Sequence, residues 1–394
     1  MRQALPRILC AGLAALSAVL AQAPPRPVHD TQGREFQVNE DRRGQRDGYA
    51  IVRLSFPSPV RSGHPANDVV RADYFVPTVA GEDGPRRPGV VVLHILNGDF
   101  TLERMGCAAL ASRGVPALML ELPFYGERAL PGGARALLSD PELFLAALEQ
   151  GLEDVGRALD VLASRPEIDP GRLGLFGVSM GGVLAATAAG REPRVHRALL
   201  VLAGGDLAAI FGQARELRRM RESVSRLPAA ERLRLERALA DLDPLRRASS
   251  LAERARAGRV RMVNASEDEV VPRACAEKLA AALGIQPRWL EGLGHYTAIA
   301  GLGGILEEAA GFFAEDLPVA SRPRDPGRPH AALARFLWRA RELCLGEVEP
   351  GCGSRIVLEG RARRAGEPER QGSLGLARGP RSEERRVGKE CRSR

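Results

Sequence analysis

The chain has 394 residues, 44% of them hydrophobic and 27% charged, which is enough apolar material for one large α/β domain with insertions. Its formal net charge is +8, yet of its 57 basic residues only Lys278 and Lys389 are lysines. Setting aside Arg2, Arg7 and the tail 381–394 leaves +3, so a nucleic-acid partner is excluded from the reading.

Residues 1–21 combine a basic start (Arg2, Arg7), an apolar stretch from Ile8 to Leu20 and small residues at Val19, Ala21 and Ala23. This is a secretory signal pattern, and it predicts export to the periplasm or the extracellular space. Pro24 disfavours cleavage after Ala23, so cleavage after Ala21 is expected. An uncleaved anchor is the alternative, but the apolar run is short for a bilayer span, and no stable membrane insertion is expected after cleavage. Cys10 follows Ile8-Leu9 rather than a small residue, which argues against a lipoprotein anchor.

Residues 22–48 read as a linker. Two alternating runs follow, Tyr49 to Phe56 and Asp68 to Val76, in the manner of half-exposed antiparallel strands. Gly89 to His94 is a continuous β-branched run typical of a strand buried on both faces. From there helices and strands alternate. The pattern predicts a helix over 102–113, a strand over 115–122, a helix over 143–164, a strand over 173–178, a helix over 180–189 and a strand over 197–202. Such alternation implies a mostly parallel central sheet with helices on both faces.

Between Asp206 and Gly258 the rhythm breaks into Arg/Glu-rich helical segments, 211–225 and 229–241. Residues 207–258 are therefore expected to form a helical lid insertion, with a solvated decoration as the alternative. A strand over 259–263, a helix over 274–283, a strand over 286–290 and a helix over 297–313 close the domain, 49–318. The extension 319–380 holds a short amphipathic helix (331–345) and a stretch expected to be partly disordered. The tail 381–394, RSEERRVGKECRSR, resembles an in-frame read-through of a sequencing adapter and is expected to be non-native. Cys344 and Cys352 are the candidate disulfide of an exported chain, whereas Cys107 and Cys275 read as buried thiols. No cysteine has metal-ligand spacing, and neither metal nor cofactor is expected.

Gly177-Val178-Ser179-Met180-Gly181 carries the chemistry. A strand, a G-x-S-x-G turn and a helix form the context in which a strained turn lifts a serine hydroxyl above a sheet. Capping of the following helix is the other role open to Ser179. Serine needs a base oriented by an acid. His295, just after the last strand, is the candidate base. Asp268, in the loop before the helix over 274–283, is the candidate acid, with Glu267, Glu269 and Asp206 as rivals. The backbone N–H of Met180 and that of Ile95, or alternatively Leu96, are the candidate oxyanion donors. His94 is read as shaping that turn or as a buried structural histidine rather than as the base. Tyr125 and Arg128, in Pro123-Phe124-Tyr125-Gly126-Glu127-Arg128, are candidate substrate-binding residues together with His94, and a purely structural turn is the alternative.

The H-I-L-N-G turn, P-F-Y-G-E-R, G-V-S-M-G-G, D-E-V-V-P and G-L-G-H together resemble the α/β-hydrolase superfamily, nearest its dienelactone-hydrolase, acetyl-esterase and prolyl-oligopeptidase-like branch. The resemblance covers about residues 49–313. It implies Ser179 as nucleophile, His295 as base, Asp268 as acid, and Ile95 and Met180 as oxyanion donors. Two departures stand out: the usual His-Gly after the third strand is His94-Ile95 here, and dienelactone hydrolases proper use cysteine where this chain has Ser179. The activity implied is cleavage of a small-molecule carboxylic ester through an acyl-enzyme. A peptidase acting on short peptides and a catalytically silent binding protein are the alternatives.

Overall fold

The computed structural model describes residues 24–78, 84–315 and 317. The signal segment, Cys344, Cys352, the helix over 331–345 and the tail lie outside the described residues. The chain divides into two units, Met1–Glu342 and Leu343–Arg394, and every described residue belongs to the first.

Among the described residues ten strands share one sheet. They are β1 (Arg26–His29), β2 (Glu35–Arg46), β3 (Tyr49–Pro57), β4 (Val69–Pro77), β5 (Arg87–Leu93), β6 (Ala117–Leu120), β7 (Ile168–Val178), β8 (Val195–Val201), β9 (Val260–Ala265) and β10 (Arg288–Leu290). Their spatial order is β1-β2-β3-β4-β6-β5-β7-β8-β9-β10. The pairs from β1 to β4, and β4 with β6, are antiparallel, whereas those from β6 through β5 to β10 are parallel.

The helices are α1 (Thr101–Ser112), α2 (Ala134–Leu137), α3 (Pro141–Ala163), α4 (Met180–Arg191), α5 (Leu207–Gln213), α6 (Arg218–Ser225), α7 (Ala229–Leu242), α8 (Ala248–Arg254), α9 (Arg273–Leu283) and α10 (Leu302–Phe313). The crossover from β5 through α1 to β6 runs one way along the sheet, and that from β6 through α3 to β7 runs back past β5. Right-handed crossovers of opposite direction put α1 and α3 on opposite faces. α1 packs with α10, while α3, α4, α8 and α9 pack in succession. The reversal between β5 and β7 opens a crevice beyond their C-terminal ends, where open α/β sheets bind ligands.

Local chemistry explains the main elements. Every residue of β5 is buried, as a β-branched run between two helical layers requires. Asp140 caps α3 by accepting the Leu143 N–H at 3.0 Å, with Pro141 in the first turn, the arrangement that satisfies a helix start.

Within the linker expected over 22–48, the described residues 24–48 instead hold the strands β1 and β2. In β2 the buried positions Phe36 and Val38 alternate with exposed ones, and β1 contributes Val28. Burial on one face alone, with charge on the other, makes these edge strands polar in composition. The insertion over 207–258 holds α5 to α8, but the helix expected over 211–225 is broken. Ala214 leaves helical geometry at ψ 120° before a short turn at Arg215–Leu217, so α5 and α6 are separate and α8 is an additional helix. The last expected helix likewise divides into a turn, Thr297–Gly301, and α10.

Candidate active site

Ser179 follows β7 and opens α4 with φ 54° and ψ −120°, a region that strains a residue bearing a side chain by about 1–3 kcal/mol. The surroundings hold it there. Its N–H donates to the Val201 carbonyl of β8 at 2.8 Å. A Cβ at Gly177 would lie 2.0 Å from the Gly181 carbonyl oxygen, and one at Gly181 would lie 2.3 Å from that of Leu93. The backbones of β5, β7 and α4 therefore meet at distances only glycine permits.

The loops after β9 and β10 bring in the other two groups. Ser179 Oγ lies 2.8 Å from His295 Nε2, and His295 Nδ1 lies 2.8 Å from Asp268 Oδ2 and 3.0 Å from Oδ1. Asp268 Oδ1 also accepts the Val270 and Val271 N–H groups at 2.9 and 2.7 Å, which fixes the carboxylate that orients the ring. In the tautomer this network assigns, Nδ1–H donates to Asp268 and Nε2 is free to take the serine proton. Ser179, Asp268 and His295 are thus brought together as expected.

The rival acids have other work. Asp206 caps α5 through the Ala209 N–H and pairs with Lys278. Glu269 Oε2 accepts the His295 backbone N–H at 2.8 Å, so it supports the histidine loop without touching the ring. Glu267 is exposed.

The oxyanion assignment needs correction. Met180 N–H stands at the start of α4, as expected, but the Ile95 N–H donates to Glu103 Oε1 at 3.0 Å. With no glycine after His94, the turn presents that amide to a buried carboxylate in the first turn of α1. Leu96 lines the cavity beside Ser179, and its N–H has no acceptor among the described residues, so of the two candidate amides it is the unengaged one.

His94 and Arg128 also move out of the substrate-binding set. His94 is fully buried; its Nε2 accepts the Leu122 N–H at 3.1 Å and its Nδ1 faces the Ile95 carbonyl at 2.8 Å. Burial lowers its pKa to about 4, which matches a neutral ring holding the turn. Arg128 is buried and donates to the Asn67 and Glu121 carbonyls and, at 2.7 Å, to Asp154. Its fork is consumed by structure, as the structural alternative for this turn required. Tyr125 packs edge-on against His94, ring centroids 4.6 Å apart, and lines a cavity near the site.

Ser179 lies between two apolar cavities. One, of about 210 Å³, is walled by Leu102, Phe176, Ile299, Leu302 and Ile305 and includes His295 and Glu103. The other, of about 100 Å³, runs beneath the insertion against Phe144, Ile210, Phe211 and Leu217. Glu216, in the turn before α6, lines both. Burial raises the Glu103 pKa to about 7. Sequence reasoning missed Glu103 and Glu216. Glu103 shares its helix face with the buried Gly106, Cys107 and Leu110, a spacing that could have revealed it.

Residues 26–214 match a family model described as alpha/beta hydrolase domain containing 18, and residues 147–291 match the prolyl oligopeptidase family. The chain has the α/β-hydrolase fold. Within it, the Ser179, His295 and Asp268 arrangement is that of a serine hydrolase. Among solved structures, this hydrolase is similar to an acetyl xylan esterase from Paenibacillus sp. R4, at 19% identity and a TM-score of 0.51 over 72% of this chain and 89% of that one. Acetyl xylan esterase 1 from Thermoanaerobacterium sp. JW/SL YS485 aligns at 17% identity and a TM-score of 0.48 over 71% of this chain and 89% of that one. At such identities the likeness concerns the fold. Comparison with curated protein sequences gives no match. No helix among the described residues is long and apolar enough to cross a membrane.

Proposed function

We propose that this hydrolase cleaves small-molecule carboxylic esters through an acyl-enzyme. The observation that carries the reading is the 2.8 Å contact between Ser179 Oγ and His295 Nε2, in a site flanked by two apolar cavities that suit the two arms of an ester. Ser179 Oγ attacks the ester carbonyl carbon while His295 takes its proton, and the oxyanion is met by the Met180 and Leu96 N–H groups. The tetrahedral intermediate collapses with transfer of that proton to the departing alcohol. Water, deprotonated by His295, then attacks the acyl carbonyl and releases the acid and Ser179. Export, on the strength of segment 1–21, is part of the proposal.

A fluorophosphonate probe and a panel of p-nitrophenyl esters of increasing acyl length, run beside an acetylated sugar and a prolyl amide, test the reading. Labelling that disappears in Ser179→Ala, with turnover of esters, is expected. Equal labelling of Ser179→Ala would refute the nucleophile, and turnover of the amide alone would replace the esterase with a peptidase.

A further inference from the structure

The cavity beside Ser179 and His295 is apolar except for two carboxylates that the mechanism does not use. Glu103 enters from the first turn of α1 and Glu216 from the insertion. Glu103 is 2% exposed. Its Oε1 holds the Ile95 N–H, while its Oε2 is buried without a hydrogen-bond partner. Glu216 is half-buried, and its Oε2 is likewise buried without a hydrogen-bond partner.

Buried carboxylate oxygens are costly unless a donor satisfies them. Two arginines close by in the chain are engaged elsewhere. Arg104 donates to Asp73 and to the Asp99 carbonyl, and Arg221 donates to the Phe211 and Ala214 carbonyls. Neither glutamate is in an ion pair among the described residues. Two glutamates thus line a space that a substrate enters, one from α1 and one from the insertion. A hydroxyl would satisfy one oxygen. An ammonium group, with three donors and a positive charge, would satisfy both carboxylates and offset their charge.

Resting on the ester-hydrolase reading, we propose that the catalytic cavity selects esters carrying a protonated primary amine, with Glu103 and Glu216 as its acceptors. Glu216 belongs to both cavities that flank Ser179, so an amine on either arm of the ester meets Glu216, and one in the larger cavity meets Glu103 as well.

Two matched substrate pairs test this. p-Nitrophenyl 6-aminohexanoate is compared with p-nitrophenyl heptanoate, and 4-aminobutyl butyrate with pentyl butyrate; within each pair an ammonium replaces a methyl group. A kcat/KM advantage of about 10- to 100-fold for the amine is expected in at least one pair, the range of a charged hydrogen bond. In the Glu103→Gln/Glu216→Gln double variant that ratio is expected to fall toward unity. A ratio at or below unity in both wild-type pairs overturns the proposal, as does a preference that survives in the double variant. A measurement on the wild type alone guards against a variant that fails to fold. Pentylamine is expected to inhibit competitively about tenfold more tightly than 1-pentanol, and equal inhibition overturns the proposal. Turnover restricted to the neutral esters would remove the amine preference and leave the esterase standing, whereas turnover of none of the four would remove both.

Discussion

Glu103 Oε1 accepts the N–H of Ile95 at 3.0 Å, and His94 Nδ1 meets the carbonyl of the same residue at 2.8 Å. The Ile95 peptide is therefore clamped from both sides, and the amide that sequence position favours as an oxyanion donor is spent on holding the turn. In the proposed mechanism donation shifts one residue onward, to the Leu96 N–H. Leu96→Pro, which deletes that N–H, is expected to lower kcat about 10²- to 10³-fold, whereas Leu96→Ala, which keeps it, leaves most of the activity. Ester hydrolysis by both variants, with circular dichroism as the control for folding, decides the matter; equal activity would return the role to another donor.

The Asp268 carboxylate sets the His295 tautomer through contacts of 2.8 and 3.0 Å. Asp268→Asn presents a donor to Nδ1 and favours the wrong tautomer, so kcat is expected to fall by about 10⁴-fold with little change in stability. Stopped assays at saturating ester report this directly. A loss of less than tenfold would place the acid elsewhere.

Arg128 and Asp154 form an ion pair with both side chains at 0% exposure. Removal of one partner from such a pair costs about 3–5 kcal/mol because the other charge is left buried. Arg128→Ala is expected to lower the urea midpoint accordingly while the KM of the folded fraction stays within about twofold, in keeping with the structural role its hydrogen bonds assign. A raised KM with an unchanged midpoint would restore Arg128 to substrate binding.

His94 and Glu103 bias stability in opposite directions. Burial holds His94 at about 4 in the folded chain against 6.5, so below pH 6.5 the unfolded chain binds the extra proton. The His94 contribution is present above that pH and is lost as pH falls toward 4. Burial holds Glu103 at about 7 against 4.5, so above pH 4.5 the unfolded chain releases its proton first. The Glu103 contribution is present below pH 4.5 and is lost as pH rises through 7. Each amounts to roughly 3 kcal/mol, and between pH 4.5 and 6.5 the two slopes oppose one another. Glu103→Gln is therefore expected to gain stability relative to the wild type as pH rises from 4.5 to 7. For His94→Asn, the deficit relative to the wild type shrinks as pH falls from 6.5 to 4. Urea midpoints across this range test both, and parallel curves for wild type and variants would contradict the assignment.

The catalytic triad was legible because each member sits in a short local signal at the end of a strand: the glycine elbow for Ser179, D-E-V-V-P for Asp268 and G-L-G-H for His295. The alternation of β5 to β10 with helices was legible for the same reason, since burial on both faces leaves a continuous apolar run. Partners distant in sequence were not. Nothing near Arg128 announces Asp154, and Glu103 reads as a solvated charge in a helix's first turn unless its face is traced through Cys107 and Leu110. β1 and β2 escaped notice because only Val28, Phe36 and Val38 mark their buried side amid charged neighbours.

The interlocked backbones around Ser179 leave the nucleophile almost no room to vary, since a methyl group at Gly177 or Gly181 would overlap a neighbouring carbonyl. Part of the wall of the smaller cavity comes from α5 and the turn before α6, a stretch inserted between two strands in which a Cβ at Gly212 would meet nothing. Changes in that stretch would reshape the cavity beside Ser179 while the interlocked backbone that holds the nucleophile stays in place.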